Sequence, residues 1–141
     1  MFERLRVQFA ALGLGYAPHP DVVPNSHRAL RLTELARELG RHDQMHDRIM
    51  RAYWEEAENI GDPGVLRRLA GELGLPGERV DEVLDGDLYA ERLAGATRQA
   101  NAIGVNGIPA WLLDGRLLVL GAQPREAFEQ AFAQLDGETA A

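Results

Sequence analysis

Hydrophobic residues recur at steps of three and four along most of the chain, the spacing that gives a helix one apolar stripe. Phe2, Leu5, Phe9 and Leu12 mark a first helix, closed by Gly13 and Gly15. Three prolines, Pro18, Pro20 and Pro24, then predict a loop, because each removes a donor and biases its predecessor towards extended backbone. Asn25 or Ser26 is placed to cap a second helix with Ala29, Leu32, Ala36 and Leu39 on its stripe, stopped by Gly40. Met45, Ile49, Ala52 and Tyr53 predict a third helix ending near Asn59 to Gly61. Met50, Trp54 and Ala57 give it a second apolar face.

Asp62 followed by Pro63 is a start signal: an acceptor side chain at the cap ahead of a proline whose missing N–H costs nothing in the first turn. Leu66, Leu69, Ala70 and Leu73 continue that helix, and Gly74-Leu75-Pro76 interrupts it. A short helix through Val80, Val83 and Leu84 leads to Gly86. Asp87 is then expected to open a long helix carrying Tyr89, Leu93, Ala96, Ala100 and Ile103, stopped by Gly104.

After Gly104 the period changes. Ala110 to Leu113 and Arg116 to Leu120 are apolar runs joined by Asp114-Gly115, a dipeptide suited to the positive backbone angles of a two-residue hairpin turn. Both runs are apolar on alternate residues of both faces, as in strands covered above and below. Pro124 fits the first position of a last helix, whose Ala127, Phe128, Ala131, Phe132 and Leu135 are expected to cover the hairpin. The pattern thus predicts a mainly α fold with one β-hairpin, in a single domain over residues 1–141. Its helical part spans 1–104, and the hairpin and last helix span 105–136.

Composition narrows the possible functions. With 45% hydrophobic and 26% charged residues, the chain is of the globular class. A net charge of -7 with scattered arginines offers no basic stripe to a phosphate backbone, so nucleic acid is not an expected partner. All 15 basic residues are arginine, which suggests codon bias rather than chemistry. No run reaches the roughly 20 apolar residues of a membrane span, and Glu3 among helically spaced apolar residues favours an amphipathic first helix over a signal peptide. A cytoplasmic location is the expectation. The chain has no cysteine, which removes disulfides, thiolate nucleophiles and cysteine-ligated metals together.

The remaining candidates for chemistry are sparse. His42 and His46 stand four apart with Asp43 and Asp47 beside them, but the glutamate of the zinc-protease motif is absent, and the segment reads more simply as a solvated first helical turn. His27 sits near a helix start beside Arg28, and His19 lies in the proline-rich loop. Glu55, Glu56, Glu58 and Asp62 form an acidic cluster that reads as a wet helix face. The one serine, Ser26, has no nucleophile-elbow context, and no glycine-rich dinucleotide cradle follows a strand. No catalytic residue, metal set or cofactor is assigned. Gly104-Val105-Asn106-Gly107-Ile108-Pro109 is the exception: glycines and a proline between helix and strand demand a particular backbone path, though an ordinary turn would do the same.

That segment with Ala110-Trp111, followed by Asp114-Gly115-Arg116 and Gly121-Ala122-Gln123-Pro124, resembles the C-terminal half of DsbA-like thioredoxin-fold proteins, specifically the FrnE branch. Upstream, Asn25-Ser26-His27-Arg28-Ala29 and Arg51-Ala52-Tyr53-Trp54 with Asp62-Pro63 are similar to the helical insertion of that branch. The resemblance implies a truncated thioredoxin-like fold, a helical insertion followed by β-β-α, in which Pro109 is a cis-proline. It further implies that Gly107, Ile108 and Pro109 face an extended substrate peptide, with Ile108 offering its backbone. Members of the family begin with a strand and a Cys-x-x-Cys helix, and the chain is read as starting after both. It is therefore expected to be inactive in thiol–disulfide exchange by itself. The alternatives are a non-catalytic dimerisation or peptide-binding module and a remnant of a glutathione-linked isomerase or transferase. A hairpin detached from a larger sheet leaves an apolar edge, so a homodimer is expected.

Overall fold

In the computed structural model, residues 2–17 and 23–139 are described. His19, Pro18 and Pro20 lie outside them. The described elements run α1 (Phe2–Ala11), α2 (His27–Glu38), α3 (His42–Trp54), α4 (Pro63–Glu72), α5 (Gly77–Asp85), α6 (Ala90–Ala102), β1 (Ala110–Leu113), β2 (Leu117–Leu120) and α7 (Arg125–Thr139). They form two compact units, Met1–Leu93 and Ala94–Ala141, divided within α6.

The core of the first unit lies where α2 to α5 meet. Ala29, Leu32, Leu35 and Ala36 of α2 pack with Met45, Ile49 and Ala52 of α3, Leu66, Leu69 and Ala70 of α4, and Val80, Val83 and Leu84 of α5. These are largely the stripes read from the sequence, with Leu35 joining the core and Leu39, expected on the stripe, 38% exposed; burying such stripes against one another is what stabilises helices of this length. Asp62 caps α4 as expected: its Oδ1 accepts from the Val65 N–H at 3.0 Å, with Pro63 in the first turn. At α2 the cap residue is Ser26, and its side chain makes no capping bond; Asn25 Oδ1 instead accepts from the His27 N–H at 2.9 Å.

Three helices differ in their limits from the sequence reading, α7 by starting at Arg125 rather than Pro124 and running to Thr139, beyond residue 136. α3 stops at Trp54, not near Asn59 to Gly61, because Ala57 turns left-handed at φ 54° and the Glu58 N–H folds back onto the Ala52 carbonyl at 2.9 Å. Its second apolar face is correspondingly shorter, with Trp54 in contact with Phe9 at a ring separation of 5.3 Å. Asp87 does not open α6. The helix begins at Ala90, after Tyr89, whose φ of 66° is incompatible with a helical turn. The Tyr89 hydroxyl donates to Glu38, which ties that residue to the end of α2.

In the second unit β1 and β2 pair antiparallel, with Ala110 opposite Leu120, Trp111 opposite Val119, Leu112 opposite Leu118 and Leu113 opposite Leu117. Asp114 and Gly115 both have positive φ, 51° and 66°, and the Arg116 N–H closes the turn on the Leu113 carbonyl at 3.0 Å. Because Leu113 faces Leu117, Arg116 is an extra residue outside the ladder, so β2 is one residue shorter than expected. α7 packs on β2. Its Phe128 meets Trp111 edge-on, with ring centroids 5.0 Å apart, and Ala131 and Leu135 are buried. Phe132, expected on the covering face, is 53% exposed. Nor is the hairpin covered on both sides: Leu112, on the face opposite Trp111, is 47% exposed. No residue of either strand is fully buried: Trp111 on the α7 side is itself 37% exposed, as expected of a two-stranded ribbon with a single neighbouring helix.

Candidate functional site

The segment between α6 and β1 is built by backbone constraints. Gly104 ends α6 with φ 92°, where a β-carbon would be strained, and the Val105 N–H returns to the Ala100 carbonyl at 3.0 Å. The chain then bends through Gly107, Ile108 and Pro109, and the Ile108–Pro109 peptide bond is cis. The Pro109 carbonyl accepts from the Gly121 N–H at 2.8 Å. This bond joins the two motifs singled out in the sequence, Gly-Ile-Pro before the hairpin and Gly-Ala-Gln-Pro after it. Gln123 braces the second motif, its Nε2 donating to the Leu120 carbonyl at 2.7 Å.

The anchored loop presents Ile108 outwards. Its side chain is 93% exposed, the most extreme value among the large hydrophobic residues described. Among the described residues neither its N–H nor its C=O takes part in a backbone hydrogen bond. Such a loop can hold an extended polypeptide by main-chain pairing, but it carries no proton-transfer group and no nucleophile. Asp114 and Arg116 at the hairpin tip pair with each other at 2.8 Å.

The other sequence candidates are occupied structurally. His42 and His46 stack at the start of α3 with centroids 6.0 Å apart. Nε2 of His42 lies 2.8 Å from the Arg37 guanidinium and Nδ1 lies 3.0 Å from Asp43, whose carboxyl is held below its ordinary range by that histidine. No group of three or more metal-binding side chains occurs among the described residues. Two members of the acidic cluster, Glu56 and Glu58, belong to an ion-pair network with Glu72. Arg48 bonds Glu72 at 2.6 Å and Glu56 at 3.1 Å, while Arg68 bonds Glu58 and Glu72. Glu58 is held below the usual carboxylate range chiefly by Arg68, and Glu72 chiefly by Arg48. A general acid at neutral pH would need the opposite shift. A further hollow of about 380 Å³ opens between Phe9, Leu14, Met50 and Trp54. The sequence reading missed it because its walls come from α1, α3 and the loop between α1 and α2, and no local spacing joins them.

The pattern of the DsbA-like thioredoxin domain family matches residues 1–133. A probable DsbA oxidoreductase of Streptomyces coelicolor is 35% identical, superposes with a TM-score of 0.84, and aligns over 97% of this chain and 59% of its own. The cytosolic disulfide reductase DsbM of Pseudomonas aeruginosa is 28% identical, with a TM-score of 0.65 over 94% of this chain and 75% of its own. The protein YwbO of Bacillus subtilis is 26% identical over 117 residues, 81% of this chain and 58% of that protein. The chain thus spans less than two thirds of the Bacillus and Streptomyces proteins, and it contains none of the cysteine on which disulfide exchange depends. On the strength of a match that runs through both the helical unit and the hairpin unit, the chain belongs to the family of DsbA-like thioredoxin domains.

Proposed function

We propose that these 141 residues form the substrate-holding part of a disulfide oxidoreductase system of the FrnE branch, working in the cytoplasm. Gly107, Ile108 and Pro109 receive an extended polypeptide, and the thiols that exchange with it are supplied from outside these residues. The observation that carries the reading is the pairing of an anchored Pro109 with an unanchored, 93% exposed Ile108. A loop fixed at one residue and free at the next is organised for main-chain contact without ordering cost at the moment of binding. Support for the cytoplasmic setting comes from the relative described as a cytosolic disulfide reductase.

The test is an amide NMR titration of the protein with a short uncharged polypeptide lacking cysteine. Shifts centred on Gly107, Ile108 and Trp111 are expected. Shifts confined to residues before Leu93, or none at saturating peptide, would remove the reading.

A further inference from the structure

At the joint between α5 and α6 the backbone adopts a shape that its own residues do not favour. Asp87 to Ala90 form a turn, closed by the Ala90 N–H on the Asp87 carbonyl at 2.9 Å. Tyr89, its third residue, has φ 66°, the left-handed angle that marks a type II turn and ordinarily selects glycine. In a tyrosine that angle is strained, because the β-carbon crowds the backbone. Side-chain ties offset the strain. The Tyr89 hydroxyl donates to Glu38 at the end of α2, and its ring packs against the core of the helical unit. Arg79 of α5 bonds the same carboxylate at 3.1 Å and so holds the acceptor in place. Glu38 titrates below the ordinary carboxylate range, first because it accepts from Tyr89 and then because of Arg79. The Leu88 carbonyl, part of the peptide between the two central residues, lies 3.5 Å from the Arg31 guanidinium.

We infer that Tyr89 is the latch of a two-position turn: when Glu38 releases the hydroxyl, the Leu88–Tyr89 peptide flips, and residues 88 and 89 become the first turn of α6 with Asp87 as its cap. Type II and type I turns differ by such a flip, which reverses the middle peptide and leaves the flanking chain nearly in place. The flip takes Tyr89 to a negative φ and removes its strain. It also gives Asp87 a role. Among the described residues the exposed Asp87 carboxylate accepts no hydrogen bond, yet an aspartate there is the acceptor that a helix beginning at residue 88 requires. Arg92 pairs with Glu34 at 2.8 Å, so the present first turn of α6 stays beside α2 in both positions. A hydroxyl–carboxylate bond and the strain of a left-handed tyrosine are of the same order, so the one bond decides which position is occupied. The chain leaves the first unit through α6, and the latch sets where that helix begins.

Backbone NMR of the full chain reads the position of the turn. The wild type is expected to show the close approach of the Leu88 α-proton to the Tyr89 amide proton that belongs to a type II turn. Tyr89→Phe removes the hydroxyl, and Glu38→Gln removes the charge of its acceptor. Each is expected to lose that contact and to gain amide–amide contacts and helical carbon shifts from Leu88 to Ala90. Tyr89→Gly separates strain from contact: it too lacks the hydroxyl, but glycine takes the left-handed angle freely, so the type II turn should persist. Asp87→Ala added to Tyr89→Phe should reduce the helical signals, because the cap is gone. A left-handed residue 89 retained in both Tyr89→Phe and Glu38→Gln overturns the inference, since the turn then holds without its latch. Random-coil shifts at residues 87–89 overturn it as well, because release then leads to no second position. Circular dichroism checks that the other helices persist. Should Tyr89→Phe fail to fold, Glu38→Gln gives the same reading with the tyrosine intact, and unfolding of both overturns the inference, because a latch opens without loss of the fold.

Discussion

Arg31 of α2 is 4% exposed, and its guanidinium donates to the main-chain carbonyl of Gly86 just beyond α5. The Leu88 carbonyl lies at the limit of hydrogen-bond range, 3.5 Å from the same nitrogen. Three residues earlier on the same helix, Arg28 donates to the Leu84 carbonyl at 3.0 Å. Two cations of one helix thus answer the negative end of another, where its last carbonyls have no partner of their own.

Arg31→Met keeps the length of the side chain and removes its donors. The Gly86 carbonyl is then left without that donor, so a loss of about 1–3 kcal/mol is expected in urea unfolding. Gly86→Ala tests the same junction from the other side, since a β-carbon there would stand 2.8 Å from the Glu82 carbonyl oxygen. It should cost a similar amount, about 1–3 kcal/mol, as an overpacked contact. Unfolding midpoints of both variants within error of the wild type would show that this end of α5 is not held by α2.

The ion-pair network between α3 and α4 sets a pH dependence. Glu58 and Glu72 titrate below their ordinary 4.5 in the folded chain because Arg68 and Arg48 favour the charged carboxylate. A depressed folded pKa contributes stability that is complete above the unfolded value and lost as the pH falls through the folded one. Thermal midpoints should therefore be level from neutrality to about pH 5 and fall below about pH 4.5. Arg68→Gln should lower the plateau and flatten the descent, so that the two curves converge in acid. Parallel curves for the two proteins would contradict this account.

Local chemistry made much of the fold legible. Asp62-Pro63 and Asp114-Gly115 act within their own turn, and the structure has the cap and the positive-φ turn where those pairs stand. The apolar stripes of α2 to α5 were readable because a helix's spacing reports its buried face directly. What was not readable depends on partners distant in sequence. The end of α3 at Trp54 follows from a left-handed Ala57, and the start of α6 from a Tyr89 bound to Glu38, neither marked by a glycine or proline. Glu56 and Glu58 looked like a solvated face until Arg48 of α3 and Arg68 of α4 came to stand beside them. At the candidate site the residues Gly107, Ile108 and Pro109 were named through the family resemblance, since their pattern alone fitted an ordinary turn as well. The bond from Gly121 to Pro109, which anchors the loop to the far end of the hairpin, needed the strand register.

Thiol chemistry gives a prediction with a sharp zero. Disulfide exchange proceeds by attack of a thiolate on sulfur, and these residues contain no thiol. The isolated chain is expected to leave insulin reduction by dithiothreitol at the rate of buffer, at every pH. Acceleration above buffer would require a route that involves no thiol of this chain. Inhibition would be informative in the other direction, as the mark of a loop that holds the insulin chains without exchanging with them.

The contact between Trp111 and Phe128 links the candidate site to the last helix. Trp111 lies two residues beyond Pro109, and its ring meets Phe128 at 88° between ring planes with centroids 5.0 Å apart, the edge-to-face arrangement that the ring quadrupoles favour. Because Trp111 directs its main chain at β2 and its side chain at α7, displacing the ring would loosen the strand that begins at the anchored Pro109. A double-mutant cycle with Trp111→Leu and Phe128→Leu is expected to give a coupling of about 0.5–1.5 kcal/mol, the leucines retaining most of the apolar bulk. Hydrogen exchange adds a test of position. The Gly121 amide, bound to the Pro109 carbonyl, should exchange faster in Trp111→Leu, while the Val65 amide, bound to Asp62 in the helical unit, should not change. If both amides accelerate equally, the substitution has lowered global stability rather than released the loop, and Trp111 does not position the Ile108 segment.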